Sequence, residues 1–392
     1  MEGPLKGVRV LDLTRLLPGP FATLLLNRLG ADVLKVEDPK HGDYLRELAP
    51  DSFEVLNAGK TSISIDLKQS EGRDFFLRLV ERADVLIESF RPGVASRLSI
   101  DYQSLKPRNP ALIYASLSGY GQTGPLCDWP GHDLNYLGLI GGLDFSEETV
   151  LPNPLPVADE SSGILMALTI ASLLFRRRSS GEGAYVDLSM SDAAAFFALP
   201  MRAQQILHPQ QHEVLGTLPG YGTYLCADGL WMSVGAIEDK FWRGLCESLD
   251  HPEWVEQYPS AFIRSKNSKW LDNQLREMLL QRRREEWLAL LVRNDVPVAP
   301  VHPPREAISD SQIQARCLIK AQADRVLFYF PALVSTWVPQ EPARAPELGE
   351  QTEELLSQMG VSKERLKQLE AAGIVRSASP STSAMKGDDS VG

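Results

Sequence analysis

Residues 8–37 read VRVLDLTRLLPGPFATLLLNRLGADVLKVE, and the order of residue types in this stretch decides the fold class. A β-rich run from Val8 to Asp12 stops at the turn-prone Leu17-Pro18-Gly19-Pro20. A helical pattern follows over FATLLLNRLGA, with Gly30 as its cap, and Ala31 to Val36 is β-rich again. The alternation continues outward. Thr61–Leu67 reads as a strand, Glu71–Arg82 as a helix, Asp84–Glu88 as a strand, Pro92–Leu98 as the start of a helix, and Ala111–Ser116 as a fifth strand. Such spacing predicts an α/β fold with a Rossmann-like parallel sheet and helices on both faces. Ligands of these sheets sit beyond the carboxyl ends of the strands. The turns after Asp12, Glu37, Glu88 and Ser116 are therefore the candidate walls of a site.

Further along, Asp159 reads as the N-cap of a buried helix that runs through ILMALTIASLLF to Arg176-Arg177-Arg178, whose charge complements the helix dipole. Ala184–Met190 is another strand, and Ser191–Leu207 another helix. Composition shifts near Pro209. The sequence divides into a large domain over 1–205, a linker over 206–222, and a small α+β domain over 223–325. A segment over 326–375 returns to the large domain, and a Ser-rich tail over 376–392 is expected to be disordered. In the small domain, Gly222–Ala236 reads as a hairpin turning at Asp228-Gly229, with helices over Glu238–Leu249 and Lys269–Arg293 and a strand over 296–301. In the returning segment, 326–337 is β-rich and Thr352–Ala372 helical.

Composition narrows the function. The chain has 392 residues and a formal net charge of −11, so it carries no global basic field and no nucleic-acid partner is expected. Its 4 cysteines are scattered, which argues against a disulfide framework or a metal site. The chain enters a strand pattern at once, without an apolar leader, and the longest apolar run, Gly163–Phe175, falls short of the ~20 residues of a membrane span. A cytoplasmic protein that makes no use of a membrane is the expectation.

One stretch is built for chemistry. Gly119–Asp133, GYGQTGPLCDWPGHD, is rich in glycine and proline at irregular spacing, which suits a loop that brings backbone and an ionisable group up to a ligand. It contains a literal GxGxxG, yet Pro125 follows where a dinucleotide site needs a helix to begin. No HExxH and no GxSxG occurs. We read the stretch as one wall of an active site, with His132 as its acid/base group.

Eight motifs, in order, then make the chain recognisable. They are DLTRLLPGPFATLLLNRLGADVLKVE (12–37), NAGKTSISIDLK (57–68), ADVLIESFRPGVASRL (83–98), SLSGYGQTGPLCDWPGHDLNYLGLIGGL (116–143), VADESSG (157–163), GEGAYVDLSMSDAA (181–194), DGLWMSVGAIEDKFW (228–242) and DVPVAPV (295–301). Together they resemble the α-methylacyl-CoA racemase branch of the family III CoA-transferase superfamily. The resemblance implies that His132 is a catalytic base, flanked by Gly131 and Asp133, and that Glu238 supports it. It implies that Asp159 is the second base of a racemase, or the acyl-carrying nucleophile of a transferase. Lys60, Arg91 and Arg97 fall in motifs that contact CoA, with backbone contacts near Leu16 and Leu17. No separate cofactor is implied, since CoA is part of the acyl-CoA substrate.

The implied assembly is an interlocked homodimer. The implied reaction is epimerisation of a 2-methylacyl-CoA through an enolate, with CoA transfer between carboxylic acids as the alternative. Backbone N–H groups of the helix after Asp159 are expected to hold the enolate oxygen. The chain departs from the pattern at Glu160-Ser161-Ser162-Gly163, where racemases carry a glycine run. This change is expected either to narrow the site or to place a carboxylate near Asp159 and raise its pKa.

Overall fold

The N-terminal alternation folds into β1 (Arg9–Leu13), α1 (Pro18–Arg28), β2 (Asp32–Glu37), β3 (Thr61–Ile65), α2 (Ser70–Val80), β4 (Val85–Glu88) and β5 (Ile113–Ser118). The structure is a computed structural model that describes residues 3–145, 150–151, 155–208, 218–322, 324–338 and 341–378. Short helical turns apart, the chain continues with α3 (Asp133–Leu139), α4 (Val157–Ser180), β6 (Ala184–Ser189) and α5 (Met190–Ala198). Next come β7 (Tyr221–Leu225), β8 (Trp231–Gly235), α6 (Asp239–Ser248), α7 (Ser268–Leu279), α8 (Arg284–Arg293) and β9 (Val298–Val301). The last elements are α9 (Thr352–Gln358), α10 (Lys363–Ala371) and β10 (Val375–Arg376). Contacts divide the chain into two compact units, Met1–Met201 with Cys317–Gly392, and Arg202–Arg316.

The first unit is organised by a sheet of order β10-β3-β2-β1-β4-β5-β6. Every pairing is parallel except that of β10 with β3. The strand order reverses between β1 and β4, the switch point at which a doubly wound sheet opens a crevice. Alternation along each strand sends Val10, Val33, Val85 and Ile87 to one face, against Leu26 of α1 and Met166 and Ile170 of α4. Leu11, Ile63, Leu86 and Tyr114 face the other way, against Phe76 of α2, Leu356 of α9 and Leu369 of α10. Both faces are covered, which is why these strands are apolar almost throughout.

Helix α4 lies directly on α1 because residue 163 is glycine. A Cβ there would stand 2.9 Å from the Pro18 carbonyl oxygen and from the Phe21 ring. By length and composition α4 is the one described helix that could cross a bilayer. Here it buries Met166, Ala167, Ile170 and Leu174 in the core. Near its end Arg177 donates to Asp84 at 2.6 Å and to the Ala111 carbonyl at 3.0 Å, so this arginine ties the helix to the sheet.

The second unit is a three-stranded antiparallel sheet, β9-β8-β7, with α6, α7 and α8 packed on it through Trp242, Leu245, Leu275, Trp287 and Leu291. The β7–β8 hairpin turns at Asp228-Gly229 as expected, with Gly229 at φ +75. The single helix expected over Lys269–Arg293 is two, because the Arg282 carbonyl accepts the Ala227 N–H of that hairpin and pulls the chain out of helical geometry. Likewise Thr352–Ala372 breaks at Gly360, whose φ of +86 suits glycine, and restarts at Ser362, which caps α10. Arg376, assigned to the tail, instead pairs with Ser64 as part of β10. Most of the expected linker and the tail from residue 379 onward lie outside the described residues.

Candidate active site

The carboxyl end of β1 rests on a buried ionic cluster. Asp12 accepts from the Thr14 N–H and hydroxyl, the Thr23 hydroxyl and the Lys60 ammonium at 3.1 Å. Burial would raise its pKa, but Lys35, Lys60 and the two hydroxyls hold it well below the carboxylate range. Lys60 Nζ lies within 3.1 Å of four oxygens, those of Asp12, the Pro20 carbonyl, Thr23 and Asn57. Three N–H donors facing four acceptors leave none for a phosphate, and the side chain is fully buried. In this conformation Lys60, implied as a CoA contact, is spent inside the protein. It braces the β1–α1 turn from beneath, at a cost that burial shows by pushing its pKa down to about 8.

On that base, Leu16 adopts φ +65, a conformation a leucine takes only when its surroundings impose it. Its N–H donates to Asp43 at 3.0 Å, and the Leu17 carbonyl accepts from Phe21. Those two groups are spent inside the protein, so a ligand would meet the Leu16 carbonyl and the Leu17 N–H. A cavity of about 280 Å³ opens beside this turn at the carboxyl ends of β1 to β4, with Arg15, His41, Tyr44, Lys68 and Phe90 in its lining. Arg15 lies over the Tyr44 ring and donates to its hydroxyl at 3.1 Å. Arg91 and Arg97 are exposed on the loop and short helix that follow β4, next to the lining residues Val94 and Leu98. Arg15, His41 and Lys68 were missed from the sequence. Only Arg15 carries a signal there, as the cation in the turn after the first strand. A larger cavity, of about 470 Å³, lies at the opposite end of the sheet, where Arg9, Asp32 and Thr61 begin their strands.

The Gly119–Asp133 stretch forms the irregular loop expected of it. His132 is the N-cap residue of α3, with its N–H donating to the Asn135 side chain and its imidazole exposed. Tyr136, one turn into α3, donates to the Gly131 carbonyl at 2.6 Å. A Cβ on Gly131 or on Gly119 would come within 2.7 Å of the Tyr136 side chain, so both positions require glycine for close approach. Asp133 accepts from the N–H groups of Ala158 at 2.7 Å and Asp159 at 3.1 Å. The neighbour of His132 therefore clamps the start of the helix that carries Asp159. His132 and Asp159 thus sit on elements joined by one side chain.

Asp159 is not the N-cap. The helix begins at Val157, and Asp159 lies within its first turn. The first N–H groups of α4 are all engaged, Val157 with Leu155, Ala158 and Asp159 with Asp133, and Glu160 with Pro156. The enolate-holding role expected of them is accordingly excluded in this conformation. Among the described residues no donor meets the Asp159 carboxyl. Burial, then the Asp133 and Glu160 carboxylates, pushes its pKa up to about 7. The pKa rise expected from Glu160 is thus present, third in order of cause. Ser161 and Ser162 are buried, and their hydroxyls bond back to the carbonyls of Ala158 and Asp159, so they fill the body of the protein and do not narrow a cleft. Glu238 is exposed in the second unit, where its carbonyl accepts the N–H groups of Phe241 and Trp242 at the head of α6.

A family model described as CoA-transferase family III matches residues 5–352. The chain belongs to CoA-transferase family III. Its relatives in the family include the alpha-methylacyl-CoA racemase of Mus musculus, 35% identical, with 95% of this chain and 98% of that protein aligned. They also include the acetyl-CoA:oxalate CoA-transferase of Acetobacter aceti, 33% identical over 89% of this chain and 94% of that protein. Among solved structures, a CAIB/BAIF family protein from Brucella suis superposes with a TM-score of 0.82 at 28% identity, covering 92% of this chain and all of that one. Family III membership makes the protein an enzyme of the CoA-transferase and racemase superfamily, with acyl-CoA as its class of substrate.

Proposed function

We propose that the protein interconverts the (R) and (S) forms of a 2-methylacyl-CoA thioester by two-base proton transfer at Cα. The observation that carries this reading is the joint at Asp133, which ties the residue next to His132 to the start of the helix that bears Asp159. Inversion at neutral pH needs one carrier protonated while the other is free, and a carboxyl raised to about 7 titrates in the range of an imidazole. A carboxyl raised toward neutrality suits proton donation. One carrier removes the α-proton, the enolate forms, and the other delivers a proton to the opposite face, with roles exchanged in the reverse direction. The CoA phosphates would meet Arg15, Arg91 and Arg97 around the carboxyl-end cavity.

In this reading the enzyme is a homodimer in which Glu238 of one copy orients and charges His132 of the other. Exposed Ile164, Leu168 and Phe175 on α4, with Phe196 and Phe197 on α5, supply an apolar surface suited to a second copy. The test is incubation with a 2-methylacyl-CoA in heavy water, following deuterium at Cα by mass spectrometry. Exchange with loss of stereochemical purity, abolished by His132→Ala, is expected. Absence of exchange together with a hydroxylamine-trapped acyl-enzyme would replace this reading by CoA transfer, with Asp159 as nucleophile.

A further inference from the structure

Two glutamates end the strands that flank β1, and their surroundings differ. Glu37, at the end of β2, faces the Arg46 guanidinium, which donates to both of its oxygens at 2.9 and 2.8 Å. Glu88, at the end of β4, is equally buried and has no cation among the described residues. Its oxygens accept from the Ser116 hydroxyl at 2.5 Å and the Phe90 N–H at 2.7 Å. A buried carboxylate without a cation is costly to the fold, which asks what else holds it there.

The hydrogen bonds lead outward. Glu88, Ser116 and Asp187 are register partners on β4, β5 and β6, so they form one row across the carboxyl edge of the sheet. Gln122, inside the Gly119–Asp133 loop, donates its side-chain N–H to the Ser116 oxygen at 2.8 Å and its backbone N–H to Asp187 at 3.2 Å. The far end of the loop is held on the opposite face of the sheet, where Tyr136 is buried and bonds Gly131. Between these anchors the backbone makes only local turns, Cys127 to Gly124 and Trp129 to Leu126. Beyond Gly119, whose carbonyl accepts the Ser191 N–H, and Tyr120, whose ring meets that of Tyr136, the path of the loop over the strand ends depends on two tethers. One terminates in Glu88.

We propose that Glu88 is a positioning residue for His132, acting through Ser116 and Gln122 to fix the loop that carries the imidazole. This rests on the reading of His132 as a proton carrier. The donors in the chain all point toward Glu88, which ends it as an acceptor, so the row is ordered only while both carboxyl oxygens can accept. Burial, then the Asp187 carboxylate, pushes the Glu88 pKa up to about 7, against the hydrogen bonds from Ser116 and Phe90. Tyr114 and Tyr185 also face it, and the Tyr114 hydroxyl is buried without a partner among the described residues.

Glu88→Gln keeps the volume but sets an amide donor against one of the two donors, and Ser116→Ala and Gln122→Ala remove the links in turn. For each variant, the turnover of α-deuterium exchange is expected to fall roughly 10–100-fold, with KM for the thioester within about twofold. The Glu88→Gln/Gln122→Ala double variant should be no slower than the worse single one, because both cut the same chain. Independently of activity, amide hydrogen exchange in 119–133 should accelerate in every variant while β1, β4 and β5 keep their protection. Unchanged protection of 119–133 in Glu88→Gln would overturn the proposal, as would additive losses in the double variant. Should Glu88→Gln fail to fold, Gln122→Ala, at a partly exposed position, decides by the same two readouts. Should the wild type exchange no α-proton at all, the proposed reaction fails, and the protection of 119–133 still decides whether the tether exists.

Discussion

Two polar regions of the first unit bury aspartates and use them oppositely. Beneath the β1–α1 turn, Asp12, Lys60, Lys35 and Asp43 are buried with nearly every donor and acceptor matched, and Lys35 meets Asp43 at 2.9 Å. At the joint of α3 and α4, Asp159 is half-buried beside two other acids, with no donor on its carboxyl among the described residues. The first region spends its charge on holding a strained turn in place. The second leaves the Asp159 carboxyl without a compensating partner among the described residues, and its pKa rises. The aspartate itself does not distinguish the two. Completeness of the partner set does.

The sharpest way to break this contrast is to remove the unsatisfied groups. His132→Ala and Asp159→Ala should each lower α-proton exchange about 10³-fold or more while thermal unfolding stays near that of the wild type. Unfolding several degrees lower in either variant would mean that the second region, too, is built for stability. The converse substitution is Lys60→Met. It strands Asp12 in the core and should cost about 3–5 kcal/mol in urea unfolding. If Lys60→Met instead kept its stability and weakened CoA binding, Lys60 would be a ligand contact after all. Smaller effects are expected at the rim of the cavity. Arg91→Ala and Arg97→Ala should each raise KM for the thioester about tenfold, the worth of one charged hydrogen bond, without loss of kcat or stability.

The sheet was legible because its strands are buried on both faces, so their apolar runs are nearly unbroken and glycines and prolines mark the ends. The Gly119–Asp133 loop was legible for the opposite reason, since its irregular glycines could serve no packing purpose. Lys60 misled because a lysine beside a strand looks the same whether it faces solvent or Asp12. Only the fold brings Asp12, Thr23, Asn57 and Lys60 to one point. Asp159 was displaced from the N-cap because Asp133, distant in sequence, supplies the capping carboxylate from another element. Glu88 gave no signal at all. A glutamate at a strand end reads as a surface residue until Ser116 and Gln122 are seen to enclose it.

The smallest expected effect tests the contrast most directly, because it concerns stability and not turnover. The folded-state pKa of Asp159 is raised from the ordinary 3.8 to about 7. A group raised in this way contributes its full stability below the unfolded-state value, where it is protonated in both states. That contribution is lost as pH rises through about 7, because ionisation then becomes harder in the fold than in the open chain. Asp159→Asn is neutral at every pH. It should match the wild type near pH 4 and be more stable by about 1–2 kcal/mol at pH 8, the shift being discounted for the partial exposure of the carboxyl. For a unit of this size that is a rise in Tm of about 2–4 °C. Asp12→Asn should behave in the reverse sense, destabilising at pH 8, since the depressed pKa of Asp12 stabilises the fold wherever Asp12 is ionised. If the two variants moved in the same direction, completeness of partners would not be what separates the structural carboxylate from the chemical one.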